Sequence, residues 1–117
     1  MARNPAQAKS GGGKRKPAKD FGPKVEVRNA NQPGWTGKVD AAKFEAMSAA
    51  IMRVVPRSVP GLTQTEIRNK VVFHLPDHIF PGGERADWWA KTVLLDLEAD
   101  GILEREKQAR PFRWHRS

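Results

Sequence analysis

Apolar residues recur at helical spacing in three stretches of the chain and alternate in two shorter ones near its end. Phe44, Met47, Ile51 and Val54/Val55 follow a 3.6-residue period, the mark of one buried stripe on a helix over about 41–55. Asp40 stands at its N-cap position and Pro56 ends it. A short extended link from Arg57 to Gly61 leads to Thr63-x-x-Glu66, a capping box, with Leu62 and Ile67 at hydrophobic-staple positions. Ile67, Val71 and Leu75 give this second helix a core face, and Pro76 limits it to about 64–75.

The segment Asp77 to Gly83, with Pro81-Gly82-Gly83, reads as a loop. A third helix is expected from about Glu84 to Asp100, with Ala90, Val93, Leu94 and Leu97 facing the core. Gly101 followed by Ile102 fits the left-handed stop of a Schellman motif. Ile102–Glu106 and Pro111–His115 then alternate as two strands about a turn near Gln108-Ala109. Phe112 and Trp114 share one face of the second strand and are expected to pack inward, which turns Arg113 and His115 outward. Upstream, Val-Glu-Val-Arg at 25–28 reads as a short strand, and Asn-Ala-Asn-Gln-Pro-Gly after it as a loop.

Three helices closed by a C-terminal β-hairpin predict a mostly helical α+β fold, in the order of a winged helix-turn-helix domain over residues 25–117. The run Leu97-Glu98-Ala99-Asp100-Gly101-Ile102-Leu103-Glu104-Arg105 resembles the junction of recognition helix and wing in MarR-type winged-helix regulators. Four further segments resemble a family of short, uncharacterised bacterial proteins. They are Phe80-Pro81-Gly82-Gly83, Trp88-Trp89-Ala90-Lys91-Thr92-Val93, Leu95-Asp96-Leu97-Glu98-Ala99 and Pro111-Phe112-Arg113-Trp114-His115-Arg116. That likeness covers about residues 25–117, supports the fold and implies no activity.

Charge divides the chain. The 117 residues hold 21 Lys+Arg against 13 Asp+Glu, a net charge of +8. Residues 1–24 carry Arg3, Lys9, Lys14, Arg15, Lys16, Lys19 and Lys24 against Asp20, a net +6. Residues 105–117 carry Arg105, Lys107, Arg110, Arg113 and Arg116 against Glu106, a net +4. The body between them is slightly acidic. Residues 1–24 also hold three prolines and four glycines, with only Met1 and Phe21 as larger apolar groups. They read as a flexible basic arm with too little apolar surface to offset the entropy of ordering. Cysteine is absent, which removes disulfides, thiolate nucleophiles and cysteine zinc sites. No apolar run is long enough to cross a membrane and no secretory signal is read, so the expected location is cytoplasmic.

Catalysis finds no residue set. No serine lies in a nucleophile elbow, and no phosphate loop or dinucleotide fingerprint is present. His74 and His78 are four apart, but Pro76 between them breaks the helical geometry that a metal pair needs. No cofactor, metal or small-molecule substrate is called for. The expected function is non-catalytic DNA binding, largely electrostatic. Lys14, Arg15 and Lys16 of the arm and Lys107, Arg110, Arg113 and Arg116 of the wing would contact phosphates. Lys91 and Thr92 of the third helix would stand at the groove. That helix is acidic, because Asp87, Asp96, Glu98 and Asp100 outnumber Lys91, so little base readout is expected from it. The carboxylates at 96, 98 and 100 read as solvated. The competing reading is a protein or homodimer contact through an exposed Trp88 beside Leu95.

Overall fold

A computed structural model describes residues 22–117. Of the basic arm expected over 1–24, residues 1–21 lie outside the described part. The last residues belong to the body instead: the Pro23 carbonyl accepts from Ala41 N at 2.8 Å, and Lys24 opens a strand.

That strand, β1 (Lys24–Arg28), pairs antiparallel with β2 (Thr36–Asp40), from Lys24 opposite Asp40 to Arg28 opposite Thr36. β1 was legible in the sequence and β2 was not. Gly37 interrupts the β-forming pattern of β2, and the indole of Trp35 lies over it so closely that a Cβ at 37 would run into the ring. Trp35 thus fills the place of the missing side chain.

Helix α1 (Ala41–Val54) starts where the pattern put it, with the Asp40 carboxylate accepting from Lys43 N at 3.0 Å. Leu62–Thr63, expected as the staple and capping-box residues that open the second helix, form a two-residue strand, β3. Helix α2 (Gln64–Val71) carries both bonds of the capping box: Thr63 N donates to Glu66 Oε1 at 2.9 Å, and Glu66 N to Thr63 Oγ at 3.1 Å. It stops earlier than expected. A 3₁₀ turn over Val72–His74 takes its place as Pro76 restricts Leu75 to extended backbone.

Helix α3 (Ala86–Ala99) begins later than Glu84, because Arg85 adopts a left-handed conformation at its N-cap. It ends in the expected Schellman motif. Ile102 N donates to Leu97 O at 2.9 Å and Gly101 N to Glu98 O at 3.0 Å, with Gly101 at φ +79°. Strands β4 (Leu103–Glu106) and β5 (Arg113–Arg116) follow, and the sheet order is β3-β5-β4.

The three helices surround one core. Met47, Ala50, Ile51 and Val55 meet Ile67 and Val71 of α2 and Trp89, Ala90, Val93, Leu94 and Leu97 of α3, with Phe80, Leu103 and Trp114 closing the ends. The β1–β2 hairpin packs across the outer side of α3 and buries Val27 completely. Among the described residues no helix is long and apolar enough to cross a membrane.

Candidate functional site

The C-terminal hairpin holds most of its positive charge inside the fold. Arg105 donates from Nε and Nη2 to Glu98 Oε1 at 3.1 and 2.8 Å, and its guanidinium lies over the rings of Phe112 and Trp114. Arg113 donates from Nη1 to Gly61 O at 3.0 Å and lies 3.4 Å from Glu66 Oε1. Glu66 is held below the usual carboxylate range, chiefly by the N–H of Thr63 and further by Arg113. Arg116 is half-buried. The outward pair expected here is therefore corrected. Arg113 is bound back to α2 and the β3 link, and His115 is buried.

The reason for His115 is the sheet register. It stands opposite Glu104, with Glu106 two residues further along β4 on the same face, and Arg116 N is tied to Pro56 O at 2.8 Å, which draws β5 under the α1–β3 link. Nε2 lies 2.9 Å from Glu106 Oε2 and Nδ1 lies 3.1 Å from Arg116 O. Both ring nitrogens thus face acceptors. The imidazolium satisfies both, and the bond to Glu106 raises the His115 pKa above its ordinary value. Of the wing cations named from sequence, only Lys107 and Arg110 are exposed. Arg110 folds over Phe112 and donates to the Lys107 and Ala109 carbonyls.

Two acids of α3 are enclosed, which corrects the reading of Asp96 and Glu98 as solvated groups, while Asp100 is exposed as expected. Asp96 is 4% exposed and accepts from Arg28 N at 2.8 Å. Glu98 accepts from Arg105 and, at 3.0 Å, from Trp114 Nε1. Asp100 pairs with Arg28, and Asp87 with Arg68. The negative charge that set α3 against an anionic partner is met by neighbouring donors and cations. Leu95 is 5% exposed under the β1–β2 hairpin, so it is no surface anchor beside Trp88, and that part of the partner reading is also corrected.

What α3 presents is concentrated in its first two turns, where the hairpin leaves a seam. A cleft of about 470 Å³ runs between the two elements. Val27, Gly37, Val39 and Leu95 form its floor, and Trp35, Trp88, Lys38, Lys91, Thr92 and Arg28 line it. Trp35 and Trp88 are 46% and 45% exposed. A second hollow shares Lys38, Val39 and Trp88 with the first and continues toward Gly22, past the cations Lys24, Lys43 and Arg85 and the carboxylates Asp40 and Glu84. Arg85 lies over the Trp88 ring at 5.5 Å, and Trp89 meets Trp88 edge-on at 5.1 Å. Among the described residues Lys24, Lys38 and Lys91 form no ion pair. Asp40 and Glu26 stand opposite Lys24 and Lys38 in the hairpin, with Asp40 capping α1. The seam joins planar aromatic surface to exposed positive charge, a combination that stacks flat rings and attracts anions.

A family model matches residues 24–114, most of the chain. The chain belongs to DUF6958, a family of unknown function. The match covers the hairpins and helices of this DUF6958 chain and stops short of the arm, so Lys14, Arg15 and Lys16 lie outside both the match and the described residues. Comparison with curated proteins and with solved structures returned no match.

Of the residues named from sequence, Trp88, Lys91 and Thr92 come together on the seam of this DUF6958 fold, while Lys107 and Arg110 stand on the turn between β4 and β5. Sequence reasoning missed Trp35 and Lys38. The available signal was Trp35 itself, a large aromatic next to a Pro-Gly turn and two residues before a glycine that it covers. Among the described residues no three His, Asp or Glu side chains converge on a point that would hold a metal ion.

Proposed function

We propose that this DUF6958 chain is a non-catalytic, DNA-binding protein of winged-helix build, whose contacts come from the basic arm and the seam between the first hairpin and α3. The build is supported by the element order α1-β3-α2-α3-β4-β5 and by a short strand after α1 that joins the C-terminal hairpin in one sheet. The MarR-like junction at 97–105 agrees with it. The observation that carries the function is the placement of positive charge. The wing cations Arg105 and Arg113 are bound internally, whereas Lys24, Lys38 and Lys91 are exposed along one seam with two exposed indoles. That seam opens at Gly22, where the arm with its further cations joins the body.

The test is a titration of a generic duplex of about 20 base pairs across salt. Binding at ~50 mM salt is expected. If about six phosphates are neutralised, log K falls with log[salt] at a slope of about −5. Absence of binding at that salt, to this duplex and to a single strand alike, overturns the reading. The exposed Trp88 also favours a second reading, an anchor for a protein partner. With Leu95 buried, that anchor has Trp35 rather than Leu95 as its neighbour on the cleft.

A further inference from the structure

We infer that the seam between the β1–β2 hairpin and α3 is a binding trough for an unpaired DNA segment, with bases stacked on Trp35 and Trp88 and the backbone tracked by Lys24, Lys38 and Lys91. The inference rests on the DNA-binding reading and deepens it, because it names the form of nucleic acid that this surface takes.

Three observations carry it. The first is what covers α3. In a winged-helix protein the outer face of the third helix enters the major groove. Here the hairpin lies on that face, with Leu95 and Asp96 buried beneath it and Arg28 joined to both Asp96 and Asp100. A duplex groove has no access to the second half of α3 while the hairpin is seated. A single strand needs only a narrow channel, and the seam is one.

The second is composition. Single strands are held without base readout by positively charged grooves with exposed aromatic rings, since every base has a face to stack. Trp35 and Trp88 are nearly half exposed, stand on opposite walls of the cleft, and belong to different elements. The Arg85 guanidinium over Trp88 adds a second planar surface on which a base can stack.

The third is charge, which selects among occupants. The charged residues lining the main cleft, Arg28, Lys38 and Lys91, are basic, with Arg28 paired to Asp100, and the second hollow adds Lys24, Lys43 and Arg85 against Asp40 and Glu84, so cations outnumber acids along the trough. Residues 1–21 carry six basic groups against Asp20, so the chain's own arm is repelled from the trough. A second copy of this face would oppose cations to cations. A polyanion with flat apolar rings is the occupant that fits both the charge and the indoles.

The full chain is titrated with fluorescein-labelled dT12 at ~50 mM salt, beside a duplex of the same length, and with Trp35→Ala, Trp88→Ala and Lys91→Glu. Each alanine variant is expected to weaken dT12 binding about 5- to 150-fold, the range for loss of one stacked base. Duplex binding, supported by the arm, should change less than about threefold. Trp88→Phe keeps a ring and should restore most of the affinity, which separates stacking from a folding defect. Unchanged dT12 affinity in both alanine variants overturns the trough. So does a self-association that Trp88→Ala abolishes, because the surface is then a contact between copies. Wild-type protein that binds duplex but not dT12 also refutes the trough and leaves the broader reading standing, whereas failure to bind either refutes both.

Discussion

Glu98 and Arg105 close the fold across the turn that ends α3. Arg105 Nε and Nη2 both donate to Glu98 Oε1, which also accepts from Trp114 Nε1. The same guanidinium donates to Asn31 Oδ1 at 2.7 Å, so one side chain ties the first hairpin, α3 and the C-terminal sheet together. The two side chains are only 11% and 15% exposed. A buried pair is weak evidence of net stabilisation, but removing one partner strands the other charge. Arg105→Leu is therefore expected to lower the unfolding free energy by about 2–4 kcal/mol, somewhat below the fully buried case. Urea unfolding measures it, and a loss under about 0.5 kcal/mol would show that solvent compensates Glu98.

The capping box predicts a smaller effect. Thr63→Ala removes the oxygen that receives Glu66 N and should cost about 1 kcal/mol. Thr63→Ser keeps that oxygen and should stay near wild type. Thermal unfolding of the two variants decides it, and equal melting temperatures would contradict the cap.

Two glycines separate backbone strain from collision. Gly101 lies at φ +79° with open space around it, so Gly101→Ala should cost about 1 kcal/mol from strain alone. Gly61 lies at φ +87°, and a Cβ there would overlap the Trp114 carbonyl where β3 meets β5. Gly61→Ala should cost clearly more, in excess of about 2 kcal/mol. The order of the two melting temperatures checks this.

His115 gives the fold a pH dependence. Its folded pKa lies above the ordinary value because Glu106 and the Arg116 carbonyl both favour the imidazolium. A group raised on folding stabilises fully below its unfolded pKa, about 6.5, and that stabilisation is lost as pH rises through the folded value. Denaturant midpoints should fall from pH 6 toward higher pH, and Glu106→Gln should flatten the fall. A midpoint unchanged with pH in the wild type would contradict the arrangement.

The helices were legible because their signals are local. Asp40, Thr63-x-x-Glu66 and Gly101-Ile102 set three helix ends through bonds between residues no more than five apart, and each is found where the pattern put it. The hairpin over α3 was not legible, because β2 depends on Trp35 covering Gly37 and on a seat provided by Leu95 and Asp96, far along the chain. The same long-range contacts moved the site. An α3 counted as a net −3 is locally neutralised, and a wing counted as a net +4 holds Arg105, Arg113 and His115 in internal bonds. Charge counts along a sequence locate charge but not its partners, and here the partners decided which cations remain at the surface.

The four indole N–H signals of the ¹⁵N-labelled chain report whether a single strand occupies the seam. Trp35 and Trp88 are exposed on the seam, and Trp89 and Trp114 are buried in the core. On addition of dT12 the Trp35 and Trp88 indole signals are expected to shift in proportion to saturation, together with the Lys91 amide, while Trp89 and Trp114 stay nearly fixed. Binding that leaves the Trp35 and Trp88 signals in place and moves only amides of the Lys107–Arg110 turn would contradict a strand in the seam.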